Sequence, residues 1–381
     1  MTLRELIAHR IRARGPLTTA DFMELALYHS SLGYYSRAPR RTGRAGDFFT
    51  SVDVGPQFGA LLASQLEEMY RLLGDSAPDG FDLVEAGAAN GQLARDILDA
   101  AEADFPELYR AIRLTLVETS ATARATQAET LGRHTPRLAA ASDRMPDRVH
   151  GVILANELLD AFPTHAVAMT HEGLREIFVD LDENRFVERT GPLSTPDLAR
   201  YLERLDLRLS PGSRGEINLA AVTWMRDAAR SLTRGFMLLV DYGHPASGLY
   251  SNGHGTGTLT TFHRHQVSTP EDDADQRGGP AWLAHPGLQD IPSHVDWTSV
   301  TSAAEAEGLD LLGLPDQTHF LLALGALDNP PTGSDTRSIK HRLALKTLLV
   351  PGGLGSTHHV LLLGKQVGTP TLRGGSFKTR N

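Results

Sequence analysis

From residue 81 onward, short apolar runs alternate with segments of helical periodicity. The apolar runs have the length of buried strands and lie at Phe81–Glu85, Arg113–Glu118, Val149–Leu154 and Phe236–Val240. Helical patterns follow the first two runs, at Leu93–Ala103 and Ala121–Leu131. A helix between two strands returns the chain to the same end of the sheet, so successive strands run parallel. The alternation therefore predicts an α/β fold built on a mostly parallel sheet.

The same patterns divide the chain into three regions. Residues 1–75 show mainly helical periodicity, and residues 76–365 contain the α/β alternation. Two insertions are predicted within the second region, at about 164–215, which includes a hairpin, and at about 244–296. The later insertion is rich in Gly, Pro, His and Asp without clear periodicity, which is typical of a functional or a partly disordered segment. Residues 366–381 are expected to form a flexible tail.

Composition excludes several classes of partner and site. The chain has a formal net charge of −9, whereas general nucleic-acid binders present a basic face, so no nucleic-acid partner is expected. It contains no cysteine, which excludes disulfides, zinc–thiolate sites and cysteine nucleophiles and suits a reducing, cytoplasmic location. No apolar run reaches the roughly 18 residues of a membrane span, so no membrane partner is expected. The oligomeric state is left open.

The turn between the first strand and the first helix of the α/β pattern is the most informative stretch. From Glu85 to Gly91 the sequence is Glu-Ala-Gly-Ala-Ala-Asn-Gly. Gly87 lets the backbone approach a ligand closely, and Gly91 lets the helix pack against the strand. The N–H groups at the helix start favour an anion, and S-adenosylmethionine presents a carboxylate but no phosphate. Because the spacing fits neither the dinucleotide fingerprint nor a P-loop, the alternatives are this cofactor or a tight turn with no ligand.

An acidic residue, Glu118, ends the next strand. A carboxylate in this position can accept hydrogen bonds from both ribose hydroxyls of an adenosine. A surface charge at the start of the following helix is the alternative. Taken together, the glycine turn and Glu118 predict a site for S-adenosylmethionine.

Further acids lie at the ends of later strands and are the candidate catalytic residues. Asn156, Glu157 and Asp160 follow the third strand, at the edge where open α/β sheets bind ligands. Asp241 ends another strand, and Asp296 lies in a later segment beside a tryptophan. Carboxylates here can hold a guanidinium or accept a proton from a nitrogen nucleophile. At Asn156 an ordinary helix cap is the alternative.

Histidine offers a further kind of ligand, and the chain contains 16 of them, including the pairs His263/His265 and His358/His359. The sequence nevertheless has no H-E-x-x-H motif and no thiolate. We therefore expect no bound catalytic metal.

Several motifs together resemble the MidA-like methyltransferases, a bacterial family related to a mitochondrial methyltransferase of respiratory complex I assembly. The matching segments occur in family order from about residue 3 to about residue 365 and include Ala26–Tyr28, Gly33–Tyr35, Gly46–Ser51, Glu85–Gly91, Ala155–Pro163, Asp241–Gly243, Gly257–Leu259, Pro286–Asp290 and His294–Trp297. The resemblance implies a Rossmann-like class I methyltransferase fold with a helical N-terminal part and inserted elements. It also implies that the cofactor is S-adenosylmethionine.

The resemblance assigns roles to individual residues. Glu85, Gly87 and Gly91 match the family's cofactor turn, and Glu118 matches its ribose-binding acid. A further family segment, expected to close over the cofactor, is matched by Gly46, Asp47, Thr50 and Ser51. Ala89 and Asn156 complete the predicted cofactor contacts. The predicted catalytic acids, in falling order, are Glu157, Asp160, Asp241 and Asp296.

The chain departs from the family at the turn. The family usually shows Gly-Pro-Gly-Arg-Gly where this chain has Gly-Ala-Ala-Asn-Gly, so Ala89 replaces the middle glycine. A weakened site would favour a non-catalytic assembly protein that retains the fold. Because the mitochondrial branch includes a protein arginine methyltransferase, the resemblance implies an arginine nitrogen of a protein as the methyl acceptor. A small-molecule substrate of a biosynthetic pathway is the other alternative.

Overall fold

A computed structural model of the chain describes residues 1–36, 50–74, 80–263, 266–269, 280–328, 332–350 and 354–376. The helices of these residues are α1 (Leu3–Arg14), α2 (Thr19–Tyr28), α3 (Gln57–Leu73), α4 (Gln92–Asp104), α5 (Pro106–Ala111), α6 (Ala121–Leu131), α7 (Asp197–Arg204), α8 (Leu219–Ser231), α9 (Ala246–Leu249), α10 (Trp297–Glu305), α11 (Gln317–Ala323), α12 (Thr336–Leu349) and α13 (Leu354–Thr357). The strands are β1 (Leu17–Thr18), β2 (Phe81–Ala86), β3 (Ile112–Val117), β4 (Leu138–Ser142), β5 (Val149–Asn156), β6 (His165–Thr170), β7 (Gly173–Asp182), β8 (Arg185–Gly191), β9 (Arg214–Ile217), β10 (Leu232–His244), β11 (Thr261–His263), β12 (Gln266–Ser268), β13 (Val295–Asp296), β14 (Asp310–Gly313) and β15 (His358–Lys365). None of the described helices is long and apolar enough to cross a membrane.

The chain forms two compact units, each made of segments that are distant in sequence. The first unit comprises Met1–Phe48, Leu159–Trp224 and Gly243–Val300, and the second comprises Phe49–Leu158, Met225–Tyr242 and Thr301–Asn381. The predicted helical region 1–75 is therefore divided, with α1 and α2 in the first unit and α3 in the second. Both predicted insertions, 164–215 and 244–296, fall within the first unit.

The second unit is built on a sheet with the strand order β14-β15-β10-β5-β2-β3-β4. Strands β10, β5, β2, β3 and β4 pair in parallel, while β15 runs antiparallel to its neighbours β10 and β14. The predicted mostly parallel sheet is confirmed. From β2 the chain moves to β3 and β4 on one side and to β5 and β10 on the other, so the strand order reverses between β2 and β5. Sheets of this kind bind ligands beside the strand carboxyl ends at such a reversal.

Helices cover this sheet closely, which explains why its central strands are almost continuously apolar. Phe81 of β2 and Leu154 of β5 belong to one core cluster with Phe58 of α3. The helices α3 and α4 approach each other at Gly59, where a Cβ would lie 2.6 Å from the Cβ of Asp96. The apolar stripe of α3 therefore packs in the second unit, which is why this helix separates from α1 and α2.

The first unit has an antiparallel sheet with the order β1-β7-β6-β9, and β8 pairs with β7. The predicted hairpin in the first insertion is confirmed as β7 and β8. Its core includes Phe22 of α2, whose ring meets those of Phe186 and Trp282 edge to face at centroid distances of 5.6 and 5.4 Å. The N-terminal helices and both inserted segments thus share one apolar core.

The predicted flexible tail, residues 366–381, is wrong for the part that the structure describes, which ends at residue 376. Leu372 is 1% exposed and belongs to the core of the second unit. The N–H groups of Arg373 and Gly374 donate to Glu68 and Gln65 of α3, each at 2.9 Å. Burial of one leucine and two backbone hydrogen bonds hold this segment on α3.

Candidate active site

The glycine turn leaves the carboxyl end of β2 and enters α4. Gly87 has a φ of 73° and Gly91 a φ of 83°, both in the left-handed region that favours glycine. A Cβ on Gly91 would lie 3.0 Å from Leu116 Cδ1, so this glycine also permits close packing on β3. The N–H groups of Gly87 and Ala88 both donate to the carbonyl oxygen of Val117, at 2.9 and 3.0 Å. The turn is therefore anchored on the end of β3.

Ala89, at the position of the family's middle glycine, also lies in the left-handed region, with a φ of 44°. Two side chains form hydrogen bonds with the backbone N–H and carbonyl groups of Ala89. Its N–H donates to Glu118 Oε2 at 3.0 Å, and its carbonyl oxygen accepts from Gln127 Nε2 at 2.9 Å. These bonds stabilise a conformation that costs an ordinary L-residue about 1–2 kcal/mol. The turn therefore holds its left-handed bend with alanine in place of glycine.

The Glu118 carboxylate, partly exposed after β3, fits its predicted role as the ribose acceptor. Its Oε2 accepts the Ala89 N–H, and its Oε1 accepts the Ser120 N–H at 2.7 Å. The Thr119 hydroxyl lies at a longer 3.4 Å from Oε1, where a ligand hydroxyl can replace it. Because a carboxylate oxygen accepts two hydrogen bonds, each oxygen retains capacity for one ribose hydroxyl.

Two acceptor oxygens at the ends of the neighbouring strands β2 and β5, Glu85 Oε2 and Asn156 Oδ1, have no hydrogen-bond partner among the described residues. Burial raises the pKa of Glu85 to about 8, against the lowering effect of a hydrogen bond from the backbone of Ala94. The negative charges of Glu118 and Asp96 raise it further. A buried acceptor without a donor is costly, and a cationic donor such as the α-ammonium of S-adenosylmethionine would satisfy it and favour the ionised form of Glu85. The described residues therefore fit this cofactor.

Glu157, the first of the predicted catalytic acids, directly follows β5 and is held in the left-handed region with a φ of 49°. Its N–H donates to the carbonyl oxygen of Val240 at 2.8 Å. Its Oε1 accepts the Ser51 N–H at 3.3 Å and lies 3.4 Å from His358 Nε2. Its side chain is 8% exposed. A strained backbone that is fixed from several elements is typical of functional positions.

Asp241, at the end of β10, lies beside the turn that follows β5 and is buried. Its Oδ2 accepts the Leu158 N–H at 3.1 Å, and its Oδ1 accepts the Tyr242 N–H at 2.8 Å. Leu158 in turn packs on the glycine turn, because a Cβ on Gly87 would lie 3.0 Å from Leu158 Cδ1. The geometry favours a structural role for Asp241 over the predicted catalytic one. Through this turn the structure brings Glu157 beside the predicted cofactor site.

The other two predicted catalytic acids, Asp160 and Asp296, belong to the first unit. Asp296 directly precedes α10 and accepts hydrogen bonds from the Tyr201 hydroxyl at 2.7 Å and the Ser299 hydroxyl at 2.8 Å. It also accepts the N–H of Ser299 at 3.2 Å, and burial raises its pKa. These contacts show that Asp296 caps α10, and its catalytic role stays a prediction. Asp160 is buried, and its carbonyl oxygen accepts the Ser293 N–H at 2.9 Å.

The segment predicted to close over the cofactor is described only in part, because Gly46 and Asp47 lie outside the described residues. The N–H and hydroxyl of Thr50 both donate to Asp53, at 3.0 and 2.8 Å, and form a local turn. The hydroxyl of Ser51 donates to the side chain of the first residue of α11 at 3.0 Å. Within the second unit, Ser51 thus contacts Glu157 and α11.

Two buried side chains of the site, His358 and Gln127, were not predicted from the sequence. His358 begins β15 beside Glu157, and its ring centroid lies 3.8 Å from that of Tyr242. Gln127 of α6 is fully buried and supports the carbonyl of Ala89. His358 was considered from the sequence only as a metal ligand, because its contact with Glu157 joins two distant segments.

With this geometry established, comparisons with known proteins identify the family. Residues 61–314 match the model of a family of S-adenosyl-L-methionine-dependent methyltransferases. The chain belongs to this family. It is 28% identical over 356 residues to a mitochondrial protein arginine methyltransferase of Rattus norvegicus, covering 85% of this chain and 74% of that one. It is 30% identical over 354 residues to the Danio rerio enzyme of the same description, covering 84% and 75%.

A solved structure agrees with this assignment. A protein of Burkholderia thailandensis, crystallised with S-adenosyl-homocysteine bound, superposes with a TM-score of 0.84 at 29% identity, covering 98% of this chain and 94% of that one. The native crystal structure of a superfamily protein from the same organism gives a TM-score of 0.83 at 27% identity, with the same coverage. The predicted family, the Rossmann-like methyltransferase fold, the cofactor and the enzymatic activity are thereby confirmed.

Proposed function

We propose that this S-adenosylmethionine-dependent methyltransferase acts on an arginine nitrogen of a protein substrate, and that Glu157 binds the guanidinium. The main support is the placement of Glu157. It lies at the reversal of strand order, in the turn whose next residue, Leu158, packs on Gly87. Glu157 therefore adjoins the residue that packs on the turn predicted to bind the methyl donor, and its carboxylate is held by Ser51 and His358.

The chemistry of this carboxylate suits a guanidinium, which presents a planar fork of N–H donors. Among the described residues, the ion-pair partner of Glu157 is His358 rather than an arginine of the same chain. The hydrogen bond from the Ser51 N–H orients Oε1 and uses part of the acceptor capacity of the carboxylate. The remaining capacity is free to receive a substrate donor.

When bound, S-adenosylmethionine supplies an electrophilic methyl group on its sulfonium. Glu157 would orient the guanidinium nitrogen toward that methyl group and accept the proton that the nitrogen loses when the N–C bond forms and the bond from sulfur to that carbon breaks. Ser51 and His358 would hold the carboxylate in place. Asp241 would keep the turn after β5 in position through the Leu158 N–H.

The relatives support the same substrate class. Both enzymes compared above are named protein arginine methyltransferases, and the alignments cover most of this chain. A protein arginine substrate therefore agrees both with the acidic site and with the names of the relatives.

Replacement of Glu157 by glutamine tests the proposal. Glu157→Gln retains the size of the side chain but removes its charge, so methyl transfer should fall by about 100-fold or more, as expected for a lost acid–base group. The assay uses S-adenosylmethionine labelled in the methyl group and lysate from cells that lack this protein. The labelled product is sized and then hydrolysed to identify the methylated residue.

Two further variants make the result specific. Glu118→Ala should weaken S-adenosylhomocysteine binding by about 1.5–3 kcal/mol, whereas Glu157→Gln should leave this affinity unchanged in calorimetry. Glu107→Gln, on the exposed face of α5, is the matched control and should behave as wild type. A labelled product of small-molecule size, or normal turnover by Glu157→Gln, would show that the arginine proposal is wrong.

A further inference from the structure

Three histidines from separate segments of the first unit lie together. His244 ends β10, His254 ends the helical turn Asn252–His254, and His294 directly precedes β13. One ring nitrogen of each histidine lies within 4.8 Å of those of the other two. The ring centroids are separated by 4.8 Å for His244 and His254, 5.2 Å for His244 and His294, and 6.0 Å for His254 and His294.

A hydrogen bond sets the ring of His254 in a tautomer that suits metal binding. Its Nδ1 lies 3.0 Å from the carbonyl oxygen of Gly248. A carbonyl oxygen can only accept, so Nδ1 holds the proton and Nε2 presents its lone pair. Metal-binding histidines commonly donate their other ring N–H to a backbone carbonyl in this way.

The backbones of the other two histidines are fixed by the surrounding fold. His244 pairs with Asp296 in the parallel register of β10 and β13. The N–H of His294 donates to the Thr258 hydroxyl at 3.2 Å. That hydroxyl donates to the buried carboxylate of Glu216 at 3.0 Å, and the same carboxylate accepts the Thr258 N–H at 2.8 Å.

We propose that His244, His254 and His294 form a binding site for a divalent transition-metal cation, with Zn²⁺ as the ion that it fits best. Three neutral imidazoles and no thiolate form a borderline-soft donor set that suits this ion. In a tetrahedral zinc site the ligand nitrogens lie about 3.3 Å apart, so the rings need to close by about 1.5 Å. Rotation of partly buried side chains supplies a movement of this size.

The cluster is accessible to an ion and can take a further ligand. All three histidines are partly exposed, so an ion can enter. Three protein ligands leave a fourth position for water or an external ligand. The site would join the end of β10, the turn after α9 and the segment before β13.

This proposal differs from the expectation of no bound metal that the sequence motifs supported. The three histidines are separated by 10 and 40 residues, outside any local ligand motif. It does not rest on the proposed methyl acceptor, since its three ligands are different residues from those proposed to act in methyl transfer.

Metal titration of the full chain, without an affinity tag, tests the site. After treatment with a chelator, wild-type protein should bind one Zn²⁺ per chain in calorimetry, and Co²⁺ should give the visible absorption bands of a tetrahedral site. Bound Zn²⁺ should also raise the Tm, because it stabilises only the folded chain. His254→Ala should weaken Zn²⁺ binding by at least about tenfold and remove the Co²⁺ bands.

His254→Asn separates ligand loss from misfolding. Its amide N–H can still donate to the Gly248 carbonyl, but it has no Nε2 ligand, so it should fold, bind S-adenosylhomocysteine and lose Zn²⁺ binding. His171→Ala, at a histidine whose side chain is 92% exposed, is the matched control and should bind Zn²⁺ as wild type does. Absence of stoichiometric Zn²⁺ binding by wild type would overturn the proposal. Retention of that binding by His254→Asn would do the same.

Discussion

At the scale of single residues, two residues of the site have conformations or surroundings that cost free energy of folding. Glu157 is an ordinary L-residue in the left-handed region of the backbone. Glu85 is a carboxyl group buried beside other acids. Burial of a charge without a partner is unfavourable, so Glu85 shifts its pKa to about 8 and stays protonated below that pH. Both residues lie where the cofactor and the substrate are proposed to bind.

The raised pKa of Glu85 predicts how stability changes with pH. Its pKa is about 8 in the folded chain, against a usual value of 4.5. Between these values the folded chain binds a proton that the unfolded chain has released. The stabilisation is therefore complete below about pH 4.5 and is lost as the pH rises through 8, at up to about 1.4 kcal/mol per pH unit.

Glu85→Gln should abolish this contribution. In urea unfolding of the protein without cofactor, the stability of wild type relative to Glu85→Gln should decline steadily from pH 5 to pH 8. Glu107→Gln, an exposed substitution, should follow the wild-type curve. Parallel curves for wild type and Glu85→Gln would refute the assigned pKa.

At the scale of elements, the predicted cofactor turn follows β2 and is held in place by residues of β3 and α6 and by Glu118. The end of β3 accepts two N–H groups of the turn, through the carbonyl of Val117. Glu118 accepts the N–H of Ala89, and Gln127 donates to its carbonyl oxygen. The turn therefore keeps its left-handed bend without the family's middle glycine.

Ala89→Gly tests how much strain the turn retains. Glycine relieves about 1–2 kcal/mol of left-handed strain but loses about 0.4–1 kcal/mol through the greater entropy of the unfolded chain. The variant should therefore be more stable by up to about 1.6 kcal/mol in urea unfolding, and it should bind S-adenosylhomocysteine at least as tightly in calorimetry.

Ala88→Gly provides the contrast, because Ala88 is buried and does not have a positive φ. It should lose about 1 kcal/mol of stability, since glycine removes a packed methyl group and gains no relief of strain. Equal destabilisation by the two glycine variants would mean that Ala89 is unstrained.

At the scale of the whole molecule, each unit has its own apolar core, and the described part of the C-terminal segment belongs to the core of the second. Leu372→Ala should therefore destabilise the protein by about 2–4 kcal/mol, the usual cost of removing a buried leucine side chain. Leu288→Ala, at a leucine 51% exposed, should change the free energy of unfolding by less than about 0.5 kcal/mol. Urea unfolding measures both, and similar values would show that the segment is peripheral.

A cytoplasmic location stays a prediction from the absence of cysteine.

The sequence by itself determined the features that depend on local periodicity. Alternating apolar runs and helical patterns were enough to predict the parallel sheet, because strand and helix periods differ and each needs only a few neighbouring residues. The glycine turn and Glu118 were predictable because both signals are local. Glycine after a strand permits a tight backbone bend, and an acid at the end of a strand can accept hydrogen bonds from ribose hydroxyls. The cofactor was therefore within reach of sequence analysis.

Only the tertiary structure decided which distant side chains meet. The pairing of Glu157 with His358 joins positions 201 residues apart in the chain, and the three-histidine cluster joins three segments with no common motif. The structure also showed that Asp296 caps a helix and that Leu372 is buried. Local sequence contains no signal for such contacts, because they arise only when separate elements pack against each other and exclude water.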